Sequence, residues 1–244
     1  KDYKIVWLQT SRGCPFDCTF CASKVTWDRS VRYRSVKNVL TELEELVSKW
    51  HIRNIYFYDD QLVVNKDRAM ELCDGLSGFG IKYHAQLRAD AVIPKIAQAL
   101  KKSGCTYAAI GVESGNEEML RNTRKKETKD EMRKAVKILR DAGVPVLTSY
   151  IIGLPGDDHQ TIAETLDFAR ELNTEQMKFM LLTPVPGTDV YQMAVERGLL
   201  DPDNLEQMER TMFYDSTAVN LSNVSIEDLL HYQDIAYNEL DKHH

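Results

Sequence analysis

The sequence has little of what marks a membrane-spanning, secreted or low-complexity chain. Its 244 residues include only 12 Gly and 7 Pro, too few for a collagen-like or low-complexity protein. No run approaches the ~18 consecutive apolar residues of a membrane span, and we see no signal-peptide pattern in the first residues of the sequence. The 5 cysteines are few and odd in number, which argues against a disulfide scaffold. We therefore expect a soluble, cytoplasmic globular protein with no membrane partner.

An excess of positive charge is also missing. The chain has 31 Lys and Arg against 37 Asp and Glu, a net charge of −6, whereas nucleic-acid-binding proteins are normally basic. The composition therefore disfavours nucleic acid as a partner. One local basic run exists, which we interpret as a solvated helix end, with a site for an anionic substrate or partner as the alternative. It consists of Arg121, Arg124, Lys125, Lys126 and Lys129.

Six short runs rich in β-branched and aromatic residues predict β-strands. Several are apolar nearly throughout, which indicates a sheet covered on both faces. The predicted strands are Tyr3–Thr10, Arg53–Tyr58, Ile81–Leu87, Tyr107–Val112, Val146–Gly153 and Gln176–Thr183.

Amphipathic stretches with helical spacing lie between these strands. Ser35, Thr128 and Ser225 are placed to cap helix N-termini, and Gly143 is placed to end a helix. The helices are predicted around the stripes Leu40, Leu43, Leu46, Val47 and Ala69, Met70, Cys73, Leu76, and over Ile93–Lys102, Lys129–Ala142, Thr161–Leu172, Asp189–Glu196 and Ile226–Leu240.

Strands and helices thus alternate six times, which predicts a parallel sheet with right-handed crossovers. Six units are too few for a closed eight-stranded barrel. We expect an α/β fold, a partial (β/α)6 TIM-like barrel over residues 1–199, followed by a helical extension over 200–242. His243 and His244 resemble the start of an expression tag, and the missing initiator Met suggests a trimmed N-terminus.

Three of the five cysteines fall within eight residues, as Cys14-x3-Cys18-x2-Cys21. They follow the first predicted strand, and parallel α/β folds place active sites at the carboxyl ends of strands. Iron–sulfur clusters are held by such closely spaced thiolates. A structural zinc ion is the alternative, but it normally takes four protein ligands. Cys73 lies in an apolar helix stripe and is expected in the core.

With Phe20 before its last cysteine, this loop resembles the motif of the radical S-adenosylmethionine (radical SAM) superfamily. Residues Arg12–Phe16 and Arg32–Ser35 are most similar to the branch with cobalamin-dependent and methylthiotransferase-like enzymes, and the similarity runs from about Tyr3 to Leu200. The resemblance implies a [4Fe–4S] cluster on the three cysteines, with the fourth iron left for S-adenosylmethionine. It also implies cleavage of that cofactor to methionine and a 5′-deoxyadenosyl radical, and an electron donor such as flavodoxin or ferredoxin.

The resemblance further implies cofactor contacts after the second and third predicted strands. Asp59, Asp60 and Gln61 replace the Gly-Gly-Glu that the family commonly uses to hold the methionine amino group. The alternative for the two aspartates is an acidic pair at a helix N-terminus. Arg88 would reach the methionine carboxylate, since its guanidinium matches a carboxylate. Asp90 is expected to cap the next helix.

Later strand ends are implied to hold the ribose and adenine. Glu113 ends the fourth strand and would bind the ribose diol, with a strand-end salt bridge as the alternative. Apolar and backbone contacts to adenine are implied near Ile152 and Gly153, with Ser149 as a polar contact. Pro184, in a Pro-x-Pro-Gly-Thr turn, would close the adenine side, with a purely structural turn as the alternative.

Some features of the related enzymes are not found. The cobalamin-binding pattern Asp-x-His-x-x-Gly begins at Asp157 but ends in Ile162, so we regard it as accidental. Cobalamin is expected only through a further domain or a partner. The leading hypothesis is a radical SAM enzyme with an unidentified substrate and no catalytic side chain yet assigned. The alternatives are a non-catalytic cluster-binding or SAM-binding module, the core of a larger cobalamin-dependent methylase and, less favoured, an RNA-modifying methylthiotransferase.

Overall fold

The computed structural model describes residues 5–211 and 219–240. The chain forms two compact units, each assembled from separate segments. Unit 1 comprises residues 1–15, 30–111 and 130–147, and unit 2 comprises residues 16–29, 112–129 and 148–244. Residues 3 and 4 of the first predicted strand and the tag-like histidines lie outside the described residues.

All six predicted strands are present, each within a few residues of its predicted bounds. They form one sheet in the order β1-β4-β5-β6-β7-β8, and β2 and β3 form a separate antiparallel pair. The pairings from β1 to β6 are parallel, as the alternation of strands and helices predicts. The strands are β1 Ile5–Leu8, β2 Ser11–Arg12, β3 Arg32–Tyr33, β4 Asn54–Phe57, β5 Lys82–Leu87, β6 Cys105–Glu113, β7 Val146–Ile152 and β8 Gln176–Leu181.

The predicted helices are also present, together with short ones that no periodic pattern indicated. A segment of five to seven residues is too short to show helical spacing, so α1, α5 and α9 were missed. The helices are α1 Ser23–Trp27, α2 Val36–Trp50, α3 Lys66–Leu76, α4 Pro94–Ser103, α5 Glu117–Asn122, α6 Lys129–Asp141, α7 His159–Leu172, α8 Asp189–Glu196, α9 Leu205–Thr211 and α10 Ile226–Glu239, with a 3-10 helix at Ala89–Ala91.

Helix ends follow the local sequence signals. The Ser35 side chain accepts a hydrogen bond from the backbone N–H of Asn38 at the start of α2. Ser225 and Asp228 form a reciprocal capping box at the start of α10. Gly143 follows α6 with φ of 73°, a conformation that favours glycine after a helix. The cap predicted at Thr128 remains a prediction.

The core of unit 1 lies between one face of the sheet and the helices. Tyr83, Ala85 and Leu87 of β5 are buried, but the residues that alternate with them are exposed. On the same exposed face Trp7 is 64% exposed and its ring lies 4.7 Å from that of Tyr56. The expectation that both faces are covered is therefore wrong for this part of the sheet, because aromatic side chains favour strands whether or not they are buried.

Unit 2 has its own apolar core, which includes residues of the predicted C-terminal extension. Gln233 of α10 donates a hydrogen bond to the Phe179 backbone oxygen of β8. Leu200, Val219 and Leu221 pack with Ile151 and Leu182 in one cluster, so the extension contributes to this core. No helix of the described residues is long and apolar enough to cross a membrane.

Candidate functional site

The five cysteines, all within the described residues, form two groups. Cys14, Cys18 and Cys21 are half-buried in the loop between β2 and α1, whereas Cys73 and Cys105 are buried, and none forms a disulfide. Burial raises the pKa of Cys73 and raises the pKa of Cys105 to about 12. Since a metal ligand must be a thiolate, the loop cysteines are the ones suited to bind metal. Cys73 lies in the core, as predicted.

Unit 2 holds the second half of this loop by backbone hydrogen bonds. The Thr19 N–H donates to the Thr123 oxygen at 3.0 Å, and the Thr19 oxygen accepts from Asp189 N–H at 3.1 Å and Val190 N–H at 3.3 Å. These bonds connect the segment that carries Cys18 and Cys21 to the end of α5 and the start of α8. Phe20 packs against the apolar cluster of unit 2.

Charged side chains add to this attachment. Lys24 lies 2.5 Å from Asp189 and 3.5 Å from Asp17. Arg124 pairs with the same two carboxylates, at 3.3 Å from Asp17. The cysteine segment of unit 2 is therefore fixed by a four-residue ion-pair network as well as by its backbone.

In unit 1, the residues before Cys14 are bound by two successive carboxylates. Asp59 accepts hydrogen bonds from the Thr10 N–H at 2.6 Å, the Thr10 hydroxyl at 2.5 Å and the Ser11 hydroxyl at 2.9 Å. Asp60 accepts from the Gly13 N–H at 2.8 Å. Burial raises the pKa of Asp59, although the bonds from Thr10 and Ser11 counteract it.

Arg88 follows β5 and is only 4% exposed. Its guanidinium pairs with Asp90 at 2.8 Å through Nη2 and at 3.1 Å through Nε. The expected cap at Asp90 is wrong, because α4 begins after Ile93 without a side-chain cap and with Pro94 at its first turn. The Arg88 fork binds the Asp90 carboxylate instead. Gln61 is half-buried in the turn after β4.

Glu113 ends β6 and is the centre of a buried ion-pair group in unit 2. Lys125 Nζ lies 2.9 Å from Glu113 and 3.3 Å from Glu127, and all three side chains are buried. Burial by itself lowers the pKa of Lys125, but the two carboxylates outweigh it and raise the pKa, with a further contribution from Cys18. The interpretation of the basic run as a solvated helix end is therefore wrong for Lys125.

The backbone around this group is unusual. Glu113, Arg124 and Lys126 have φ of 66°, 54° and 59°, a region that residues other than glycine seldom adopt. Such conformations persist where surrounding structure enforces them, often at functional sites. Sequence reasoning missed Lys125 and Glu127 as site residues, because no local pattern shows that a lysine in a basic run is buried.

The turn after β7 is held by a buried aspartate. Asp157 accepts from the N–H groups of Gly153 at 3.1 Å and Leu154 at 2.9 Å, and from the Thr161 hydroxyl at 2.8 Å. Burial raises the pKa of Asp157 to about 6, against the effect of these bonds. Gly153 has φ of 88°, which a side chain would strain.

The other predicted adenine contacts lie on or directly after the last two strands. Ile152 is buried at the end of β7 and its oxygen accepts a 3.0 Å bond from Leu182 N–H. Ser149 is half-buried within β7, and Pro184 is buried in the segment after β8. Ile152, Gly153 and Pro184 lie at or shortly after strand ends, and Ser149 lies within its strand, as the predicted strand bounds imply.

The loop cysteines fit an iron–sulfur cluster by their chemistry. Within residues 5–211 and 219–240, no three His, Cys, Asp or Glu side chains are grouped as ligands of one metal ion. A tetrahedral zinc site brings its sulfurs to about 3.8 Å from each other. A four-iron cube binds each thiolate on a different iron, so its cysteines need not converge on one ion. Three half-buried cysteines in one loop, none of them in a disulfide, are the donor set that such a cube takes.

The family model described as the radical SAM superfamily matches residues 8–169, two thirds of the chain. The chain therefore belongs to the radical SAM superfamily, whose members are enzymes. It is 34% identical over 195 residues to an uncharacterized methyltransferase of Pyrococcus horikoshii, covering 79% of this chain and 42% of that protein. It is 27% identical over 186 residues to the anaerobic magnesium-protoporphyrin IX monomethyl ester cyclase of Rubrivivax gelatinosus, covering 75% and 33%.

A solved structure confirms the fold. The radical S-adenosylmethionine methyltransferase TsrM of Kitasatospora setae, with cobalamin and a [4Fe–4S] cluster bound, aligns with a TM-score of 0.73 at 18% identity. The alignment covers 79% of this chain and 39% of that chain. The predicted barrel-like α/β fold is thereby confirmed. The chain spans less than half the length of the curated relatives described above.

Proposed function

We propose that this chain is the core of a radical SAM enzyme with a [4Fe–4S] cluster on Cys14, Cys18 and Cys21. A cluster held by these three cysteines would supply the electron for reductive cleavage of S-adenosylmethionine to methionine and a 5′-deoxyadenosyl radical, the species that would abstract a hydrogen atom from the substrate. The observation that carries this proposal is the loop of three half-buried cysteines, none of them in a disulfide, in a chain of this superfamily. Three protein thiolates leave one iron of the cube for the cofactor.

The protein's part is to bind and orient the cofactor and to exclude water. We assign the ribose diol to Glu113, whose carboxylate can accept from two hydroxyls and is oriented by Lys125 at 2.9 Å. We assign the methionine amino group to Gln61 and the second oxygen of Asp60. Both oxygens of Asp59 already accept hydrogen bonds, so we do not retain it as a ligand contact.

The remaining contacts are assigned by position. Arg88 is proposed for the methionine carboxylate, which would take the place of Asp90 on its guanidinium. Adenine is proposed to lie against the end of β7, beside Ile152 and Gly153. The residues proposed for that side are Ser149, Ile152, Gly153 and Pro184, with Phe20 as an apolar wall beside the cluster.

An external electron donor completes the proposal. Flavodoxin or ferredoxin would have the low reduction potential that the cluster needs. We place the activity in the cytoplasm, because cysteine thiols are kept reduced there. The substrate is unidentified, since no side chain described above selects one.

The decisive experiment is anaerobic reconstitution followed by cofactor cleavage. We expect about four iron per chain and formation of 5′-deoxyadenosine when S-adenosylmethionine and dithionite are added. Cys14→Ser, Cys18→Ser and Cys21→Ser should each abolish cleavage, whereas the matched controls Cys73→Ala and Cys105→Ala should retain iron. Binding of zinc alone contradicts the cluster. A full cluster without 5′-deoxyadenosine contradicts the enzyme and supports the non-catalytic module.

A second candidate function is cobalamin-dependent methyl transfer. It is favoured by the methyltransferase names of several relatives, including the bacteriochlorophyllide d C-12(1)-methyltransferase of Chlorobaculum tepidum at 28% identity. Cobalamin would come from a further domain or a partner. S-adenosylmethionine labelled with deuterium in its methyl group separates the two functions, because transfer adds label to the substrate and hydrogen abstraction alone does not.

A further inference from the structure

Two neighbouring carboxylates at the end of β4 bind the residues that lead into the cysteine loop. Asp59 accepts three hydrogen bonds from Thr10 and Ser11. Asp60 accepts one from the N–H of Gly13, the residue directly before Cys14. Four donors of the four-residue stretch before Cys14 are thus bound to a single pair of side chains.

These bonds begin where the sheet ends. β1 and β4 pair up to Leu8 and Phe57, and the Tyr58 N–H donates to the Leu8 oxygen at 3.0 Å. Beyond this point Asp59 and Asp60 replace the backbone ladder with side-chain acceptors. Residues 10–13 are therefore held by the segment that directly follows β4.

The attachment of residues 10 and 11 to Asp59 is buried, involves a charged carboxylate and is supported by Arg68. Asp59 is 3% exposed, and a buried carboxylate is costly unless it is well bonded. Arg68 of α3 donates to the Thr10 oxygen at 2.9 Å and to the Arg34 oxygen at 3.0 Å, and its charge interacts with Asp59. Hydrogen bonds to a carboxylate are about twice as strong as those between neutral groups.

We propose that Asp59 and Asp60 are positioning residues for the cluster: Asp59 anchors residues 10–11, and Asp60 fixes Gly13 and so sets the place of Cys14. The inference rests on the proposed function. For Asp59 it differs from the role that family resemblance implies, because both of its oxygens bind the protein loop. For Asp60 it assigns a second role to the carboxylate, through the oxygen that binds the Gly13 N–H. Gly13 has φ of 92°, so its N–H direction is set by a backbone conformation that the Asp60 bond stabilises.

The test compares two substitutions at Asp60. Asp60→Ala deletes the acceptor for Gly13, whereas Asp60→Asn keeps one oxygen for it. The exposed Asp74 of α3 supplies the control variant Asp74→Ala. In protein without a cluster, alkylation by iodoacetamide is followed at each cysteine by mass spectrometry, and far-UV circular dichroism checks that each variant is folded.

We expect Cys14 in Asp60→Ala to be alkylated about tenfold faster than in the wild type, because one charge-assisted bond is lost. Cys18 and Cys21, which unit 2 holds, should change less than about twofold. Asp60→Asn and Asp74→Ala should match the wild type. After reconstitution, Asp60→Ala should lose iron faster to a chelator and give an altered electron paramagnetic resonance spectrum, and Asp60→Asn should restore both.

Three outcomes overturn the proposal. Equal Cys14 alkylation in Asp60→Ala and wild type removes the role of Asp60. The same acceleration in Asp60→Asn as in Asp60→Ala shows that the acceptor is not what matters. Asp59→Asn should also make Cys14 alkylation faster than in the wild type. An unchanged alkylation rate in Asp59→Asn shows that Asp59 does not help to position Cys14. Alkylation needs no cluster, so a wild type that never binds iron contradicts the proposed function and leaves this test readable.

Discussion

Lys125 Nζ lies 2.9 Å from the Glu113 carboxylate, with both side chains buried in unit 2. Glu127 lies 3.3 Å from the same nitrogen. One cation therefore balances two buried carboxylates, and Lys125 orients the glutamate that we assign to the ribose. Removing a partner from a buried ion pair leaves an uncompensated charge, which costs more than the pair itself contributes.

Lys125→Met should lower the free energy of unfolding by about 3–5 kcal/mol, because Glu113 and Glu127 lose their counter-ion. Urea denaturation of the protein without cluster measures this. The neighbouring Lys126 is exposed, so Lys126→Met is the matched control and should change stability by less than about 0.5 kcal/mol. Adding Glu113→Gln to Lys125→Met should recover part of the loss. Equal stability of Lys125→Met and Lys126→Met contradicts the buried pair.

The two groups of cysteines should differ in reactivity. In native protein without cluster, Cys14, Cys18 and Cys21 should be alkylated at least about tenfold faster than Cys73 and Cys105, because the latter are buried and hold their protons more tightly. Iodoacetamide labelling at neutral pH with peptide mass spectrometry gives all five rates. In denaturant the five rates should converge, and a native rate for Cys105 as high as that for Cys21 would contradict its burial.

Asp157 should make stability depend on pH. Its pKa in the folded protein is about 6, against an ordinary value of 3.8, so between these values the folded state holds a proton that the unfolded state has released. The free energy of unfolding should therefore fall as pH rises from about 4 to about 6, by roughly 3 kcal/mol in total from this group.

Asp157→Asn tests this, because it removes the titrating group and keeps an acceptor for the Gly153 and Leu154 N–H groups. The difference in stability between wild type and variant should change across that pH range and stay level above it. Asp167→Asn, at an exposed site on α7, is the control and should show no such change. A pH-independent difference between wild type and Asp157→Asn is the result that would refute the raised pKa.

Features encoded within a few residues were predictable. The six strands and the longer helices appear near their predicted bounds because period-2 and period-3.6 patterns report local conformation. The caps at Ser35 and Ser225 are equally local. The cysteine loop was recognisable because its three cysteines lie within one stretch of chain.

Features that depend on distant residues were not predictable. In the β2–β3 pair, Ser11 lies opposite Tyr33. Strands of two residues are too short to produce a recognisable pattern in the sequence. Asp59 accepts hydrogen bonds from Thr10 and Ser11, 48 or 49 positions away, and nothing in the sequence indicates these contacts. Several strands were expected to be covered on both faces because they are apolar nearly throughout, but Trp7 of β1 is exposed.

The sequence by itself determined the order of strands and helices, the place of the three cysteines and the superfamily, because each depends on the spacing of residues that are close together in the chain. Only the tertiary structure decided which charged groups are buried and what they face. Lys125 and Asp59 show the reason: the cost of burying a charge depends on the partners that folding brings to it. Those partners, Glu113 with Glu127 and Thr10 with Ser11, are set by the fold and not by neighbouring residues in the chain.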